Sequence, residues 1–146
     1  MKHFKFYDKQ DVLSLTKIRR YETKLGERVQ LSAGPHLLET TLQQSTAPFV
    51  LFGIPEDIGV KANMGIGGAD SVWMPFLQSF LNIQSNDFLE GSNILLLGHF
   101  DFSDIESLIE QNAHDFDEKL EARRHAVNMI DDEVEQLVHM ITQNKK

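Results

Sequence analysis

The chain contains no cysteine, and it has only four prolines and one tryptophan among its 146 residues. The absence of cysteine excludes disulfides, zinc–thiolate sites and a thiol nucleophile. No apolar run reaches the roughly 18 residues that a membrane span needs. Residues 1–10 (MKHFKFYDKQ) also lack the apolar stretch of a secretory signal. These absences favour a cytoplasmic protein without a membrane partner.

Positive charge is scarce outside the first thirty residues. Residues 1–30 hold eight Lys or Arg against four Asp or Glu, residues 31–146 hold six against eighteen, and the net charge is −8. Because nucleic-acid binding needs clustered cations, we do not expect a nucleic-acid partner. We call residues 1–30 the basic head. We expect the basic head to pack against the acidic remainder of its own fold or of a sister subunit, with another anionic partner as the alternative.

The chain divides into two parts by the clarity of its hydrophobic pattern. Residues 1–46 predict an N-terminal arm in which residues 20–28 are extended or irregular and residues 37–44 form a short helix. Residues 47–146 carry sharper periodic signals, which predict regular strands and helices.

Two short apolar runs, residues 48–53 (PFVLFG) and residues 93–98 (NILLLG), predict strands buried on both faces. Between them, Asp70 is the predicted N-cap of a helix. The apolar residues of that helix recur at helical spacing and are Trp73, Phe76, Leu77, Phe80 and Leu81. The order strand, helix, strand predicts a right-handed crossover and hence an α/β fold with a parallel sheet.

The last third of the chain is helical in pattern. A short helix is predicted through Ile105 and Ile109, followed by an amphipathic helix of roughly seven turns between Leu120 and Ile141. A helix in this position normally leads to a third strand, and none follows in the sequence. We therefore expect a fold that is interrupted, with both predicted strands at the edges of the sheet.

Residues 53–69 (GIPEDIGVKANMGIGGA) form a glycine-rich loop after the first predicted strand. In open α/β sheets, ligands bind at the carboxyl ends of the strands. A dinucleotide fingerprint would require glycine at the position of Asp70, and no Walker-type Gly-Lys-Ser/Thr is present, so nucleotide binding is not expected. A long connecting loop that uses glycines only for its turns is the competing interpretation.

Three potential metal ligands, His99, Asp101 and Asp104, follow the second predicted strand. Imidazole and carboxylate groups suit a divalent cation. The favoured interpretation gives the aspartates to helix capping and His99 to a backbone carbonyl, because no outer shell of supporting residues is visible. We assign no metal ligand and no catalytic residue in this chain.

The loop sequence also resembles a characteristic segment of formimidoylglutamase-like members of the arginase/agmatinase ureohydrolase family. Two further blocks are similar in register, residues 20–27 (RYETKLGE) and residues 80–86 (FLNIQSN), and the resemblance extends over residues 18–142. It implies a three-layer αβα fold around a parallel sheet. Residues 47–146 would form its first βαβα portion, truncated before the strands that carry the metal ligands.

The resemblance implies a two-manganese hydrolase that cleaves a C–N bond of a linear amidine or guanidine. The family's ligand motifs, Gly-Gly-Gly-His, Asp-Ala-His-x-Asp and Asp-x-Asp, do not occur in this sequence. We therefore expect no cofactor in this chain alone and no activity from it. The first motif is expected on the strand after the long helix. The residues that would border the substrate entrance are Asn63, Gly65, Gly67 and Gly68.

A noncatalytic interaction module is the alternative function. Such a module would pair with a partner through its sheet edge and through the apolar stripe of the long helix. In the ureohydrolase interpretation, the expected partners are the amidine or guanidine substrate and either a second copy or the remaining part of the enzyme. Whether the chain belongs to an enzyme stays open at this point.

Overall fold

A computed structural model describes residues 1–145. The strands are β1 (Phe4–Phe6), β2 (Gln30–Leu31), β3 (Phe49–Gly53) and β4 (Ile94–Phe100). The helices are α1 (Lys9–Leu15), α2 (Leu25–Arg28), α3 (Leu38–Gln44), α4 (Ile58–Ala62), α5 (Trp73–Leu81), α6 (Ser103–Asn112) and α7 (Phe116–Asn144). Short 3₁₀ turns lie at Pro35–Leu37, Ala69–Ser71 and Gly91–Asn93.

Strand β4 is the centre of a mixed four-stranded sheet. One of its edges pairs in parallel with β3. The other edge is shared, because β2 pairs in parallel with its first half and β1 pairs antiparallel with its second half. The prediction of a parallel sheet is therefore correct for β2 and β3 and wrong for β1. The expectation that β4 is an edge strand is also wrong, because both of its edges are occupied.

Helices cover both faces of this sheet. Leu95 and Leu97 of β4 pack into a core with α3, α6 and α7. Ile94 and Leu96 pack into a second core with α1, α2 and α5. A leucine that is fully buried in this way contributes roughly 2 kcal/mol by removal of its apolar surface from water. The strand is apolar throughout because it faces protein on both sides.

A β-bulge interrupts the alternation of β4. The pairing with β3 skips Leu97, so that Phe100 returns to the same core as Leu97. His99 is thereby directed to the opposite face, where its ring centroid lies 5.3 Å from that of Tyr7. Gly98 adopts a φ of +147° at the bulge, and a Cβ there would lie 1.9 Å from the carbonyl oxygen of Lys5. The bulge thus re-aims a side chain at the end of the strand.

Contacts of His3 fix the start of β1 to the two C-terminal helices. Its Nδ1 lies 2.5 Å from Glu133 Oε1, its backbone N–H donates to Glu133 Oε2, and its Nε2 lies 3.3 Å from Asp104 Oδ2. Burial alone would raise the pKa of Glu133, but the hydrogen bonds from His3 outweigh burial and lower that pKa.

Part of the basic head packs against acidic residues of the same chain, as expected. Lys2 Nζ lies 3.4 Å from Asp104, and Lys5 forms an ion pair with Asp101. Other cations of the head point outward. The exposed cations that make no ion pair within residues 1–145 include Lys17, Arg19 and Arg20.

Most sequence-predicted elements of residues 47–146 are confirmed. The strand over residues 48–53 is β3, the strand over 93–98 is the start of β4, and the long amphipathic helix is α7. In the arm, the short helix is α3, but the irregular segment over residues 20–28 ends in the helix α2. No helix within residues 1–145 is long and apolar enough to span a membrane.

Replacement of Gly98 by alanine tests the close approach of β1 to β4. The new Cβ would collide with the carbonyl of Lys5, and an L-residue is strained at a φ of +147°. We expect Gly98→Ala to lower the free energy of unfolding by about 3 kcal/mol or more, measured by urea denaturation.

Gly34→Ala is the matched control for this prediction. Gly34 also has a positive φ, +117°, but a Cβ added there would meet nothing within 4 Å. Gly34→Ala should lower the free energy of unfolding only by the cost of backbone strain, about 1 to 2 kcal/mol. Equal losses in the two variants would show that β1 does not constrain Gly98.

Candidate functional site

A cleft of about 310 Å³ opens at the carboxyl ends of β3 and β4. The loop after β3 forms one wall, the start of α5 a second, and the turn between β4 and α6 a third. Its charged and titratable lining side chains include Glu56, Asp57, Lys61, His99, Asp101 and Glu106. This is the position at which open α/β sheets bind ligands.

Asp57 organises the loop wall. Its carboxylate accepts hydrogen bonds from the backbone N–H groups of Gly68, Ala69 and Asp70 at 2.7, 2.8 and 3.2 Å. Burial alone would raise the pKa of Asp57, but the three backbone donors outweigh burial and hold the pKa below its ordinary value. The predicted N-cap role of Asp70 is therefore wrong. Asp57, distant in sequence, satisfies the donors that precede α5.

The four positions proposed for the substrate entrance lie on this loop, and all four are exposed. Asn63 ends α4 and donates from Nδ2 to the carbonyl of Gly59 at 3.2 Å. A Cβ at Gly65 would lie 2.7 Å from Val60 Cγ1, and one at Gly67 would lie 2.4 Å from Asp57 Oδ2. Gly68 has a φ of +133°. None of these four residues lines the cleft. The loop residues that line it are Pro55, Glu56, Asp57, Ile58, Lys61 and Asp70.

Glu106 links the cleft to α7. Its Oε1 accepts from Lys61 Nζ at 2.7 Å and from Arg123 at 3.1 Å. Burial alone would raise the pKa of Glu106, but the two cations outweigh burial and lower it. The second carboxylate oxygen, Oε2, is buried and has no hydrogen-bond partner within residues 1–145.

On the opposite wall of the cleft, His99 carries a second polar atom that has no hydrogen-bond partner among the described residues. Its Nδ1 is buried and has no hydrogen-bond partner within the described chain. Burial and the neighbouring Lys5 lower the pKa of His99, which favours the neutral imidazole. Tyr7 lies beside this ring and accepts a hydrogen bond from Trp73 Nε1 at 2.8 Å.

The three potential metal ligands after β4 are not brought together. Asp101 pairs with Lys5 and accepts from the backbone N–H of Ser103, and these hydrogen bonds hold its pKa well below the ordinary range. Asp104 faces His3 on the other side of the turn. Within residues 1–145, no three His, Asp or Glu side chains are grouped as a metal site.

Two features decide what the cleft can do chemically. Two polar atoms of lining side chains, His99 Nδ1 and Glu106 Oε2, are buried and have no hydrogen-bond partner within residues 1–145. Among the described residues, no lining serine, lysine or aspartate forms a hydrogen-bonded pair with His99 that would make a nucleophile and its base. The described walls of the cleft therefore carry charged and polar side chains without an assembled nucleophile and base.

The sequence pattern missed the most informative lining residues, Asp57, Lys61 and Glu106. Lys61 and Glu106 are 45 residues apart and meet only because α4 and α6 flank the same end of the sheet. Asp57 lies in the quoted loop, but its role depends on a turn that closes eleven residues later. No local sequence pattern predicts either contact.

Asp57→Asn tests the loop closure. The amide retains one oxygen acceptor, so we expect a loss of about 1 to 2 kcal/mol in the free energy of unfolding. Because the folded pKa of Asp57 is lowered, its contribution is complete above the unfolded pKa near ~4 and is lost as pH falls through the folded value. The stability difference between wild type and Asp57→Asn should therefore shrink below about pH 4.

Asp70→Asn is the control for this measurement, because the Asp70 side chain makes no hydrogen bond within residues 1–145. It should leave the stability and its pH dependence unchanged. A difference between wild type and Asp57→Asn that stays constant down to about pH 2 would contradict the assigned role of the carboxylate.

The chain matches no protein-family model, no curated protein and no solved structure. Its function is therefore inferred from the quoted sequence blocks and from the geometry of the cleft and sheet.

Proposed function

We propose that this chain is the N-terminal portion of a formimidoylglutamase-like ureohydrolase with the arginase-type three-layer fold. It supplies one wall of an amidine-binding cleft and a sheet edge for the strand that bears metal ligands. It does not catalyse hydrolysis alone. The proposal combines the resemblance of residues 53–69 with the position of the cleft.

The unpaired edge of β3, directly beside the cleft, is the observation that carries this proposal. Within residues 1–145, β3 pairs only with β4, whereas β4 is occupied on both edges. The five-residue β3 thus offers backbone donors and acceptors to a further strand. A strand added there would end at the same edge of the sheet as the cleft.

The handedness of the chain favours the same edge. The connection from β3 to β4 first passes α4, whose Ile58 lies in the core with α7, and then returns to β4 through α5, on the face of α1 and α2. The helices that follow β4, α6 and α7, pack on the opposite face. Since parallel crossovers are right-handed, a change of face reverses the direction along the sheet, and a parallel strand after α7 would return beside β3.

Exposed apolar side chains surround this edge. Phe49, at the start of β3, is 64% exposed, and Ile54, just after its end, is 43% exposed. Trp73 packs over Gly53, where a Cβ would lie 2.3 Å from its ring, and Phe76 lies 5.7 Å from Trp73 between ring centroids. An exposed apolar patch of this kind is typical of an interaction surface.

The carboxylates of the cleft suit the proposed substrate class. An amidine or guanidine carries several N–H groups, which can donate to carboxylates that line the cleft, such as those of Glu56 and Asp101. Two manganese ions would supply the hydrolytic chemistry by lowering the pKa of a bridging water. Residues 1–145 do not fit that pair of ions, because they group no three potential ligands. The ligands would have to come from the added segment.

A noncatalytic interaction module is the second candidate function. The same β3 edge and the same exposed Phe76 favour it, since strand addition to an open edge is a common mode of protein recognition. The two candidates differ in one outcome. Only the ureohydrolase requires that the completed assembly bind manganese and hydrolyse an amidine.

Complementation in trans tests the proposal. The chain is coexpressed with the C-terminal remainder of an active formimidoylglutamase, and manganese content and formamide release are measured. We expect activity from the two segments together and none from this chain alone. Trp73, the one tryptophan of the chain, reports association by its fluorescence because it packs at the end of β3.

Phe76→Asp should weaken the complementation by at least about tenfold, because it places a charge in the apolar patch. Phe116→Asp is the matched control, since Phe116 is 64% exposed at the start of α7. A stable complex that takes up no manganese and releases no product would reject the hydrolase and favour the interaction module.

A further inference from the structure

We propose that two different surfaces of this protein bind each other in separate copies, so that the chain associates head to tail. One surface is the basic turn, which comprises residues 17–21 together with Phe88. The other is the acidic ridge on α7, which comprises residues 129–138. This association is independent of the β3 edge and goes beyond the proposed hydrolase.

The basic turn carries unpaired charge beside exposed apolar side chains. Lys17, Arg19 and Arg20 are exposed and make no ion pair with a carboxylate of residues 1–145. Tyr21 and Phe88 are 88% and 98% exposed. Such nearly complete exposure of two aromatic rings next to cations is typical of a contact surface.

The basic turn is held in place by the body of the protein. The backbone N–H of Lys17 donates to Asn82 Oδ1 at 2.7 Å, and that of Ser85 donates to the carbonyl of Thr23 at 2.8 Å. This antiparallel pairing brings the turn at Tyr21 and the turn at Phe88 to the same end of the molecule. A surface that is already ordered loses little conformational entropy when a partner binds.

The acidic ridge is the complementary surface. Asp131, Asp132 and Glu135 are exposed on the outer side of α7 and make no ion pair within residues 1–145. Met129 and Val138, at the two ends of the ridge, are exposed large apolar residues. Three negative charges flanked by apolar side chains therefore match three positive charges flanked by aromatic rings.

The two surfaces cannot meet within one molecule. The basic turn lies between α1 and α2, which cover one face of the sheet, whereas α7 covers the opposite face. Contact between them requires a second copy. Because each copy keeps one surface of each kind free, the contact is heterologous and produces rings or open chains.

Charge reversal on each surface separately provides the test. Sedimentation velocity is measured for the wild type, for Arg19→Glu/Arg20→Glu and for Asp131→Lys/Asp132→Lys. The wild type should associate with increasing concentration, and the association should weaken as salt rises from about 0.05 to 0.5 M. Each double variant alone should associate at least about tenfold more weakly than the wild type.

An equimolar mixture of the two double variants shows whether the basic turn and the acidic ridge bind each other. Each variant keeps one intact surface, and the two reversed surfaces are again opposite in charge, so the mixture should regain the association that neither variant shows alone. Thermal unfolding of each variant verifies that it is folded, and Phe76→Asp should associate like the wild type. A wild type that stays monomeric at low salt, or a mixture that stays monomeric, would overturn the inference.

Discussion

The close approach of β1 to Gly98 is the constraint on which the rest of the structure depends. Only a glycine lets the carbonyl of Lys5 approach the backbone of β4 so closely. That approach closes the second edge of β4, and the accompanying bulge directs His99 to the side of Tyr7. The same constraint leaves β3 with an open edge beside the cleft, because the N-terminal strands occupy the opposite side of the sheet.

The strands and helices with strong periodic patterns could be predicted from the sequence. Strands β3 and β4 follow from their apolar runs, and α7 follows from its long amphipathic repeat. The two strands of the arm could not be predicted, since elements of two or three residues contain no period. Asp70 is a reasonable cap by local rules, but Asp57 satisfies the same backbone donors through a loop closure that local rules do not see.

The sequence predicts where the cleft lies, but it does not predict which side chains line it. Residues 53–69 indicate the carboxyl end of β3, and the cleft lies there. The contact of Glu106 with Lys61 and Arg123 depends on the packing of three helices, so its unsatisfied Oε2 is a property of the fold alone.

Amide hydrogen exchange of the isolated chain tests the open edge of β3 most directly. At low protein concentration, we expect alternate amides of Phe49–Gly53 to exchange as fast as those of exposed loops, because only one edge of β3 is paired. The amides of Ile94–Phe100 should be protected throughout, because both edges of β4 are occupied. Uniform protection of all β3 amides, equal to that of β4, would contradict this expectation, since it would mean that no edge is free to accept a further strand.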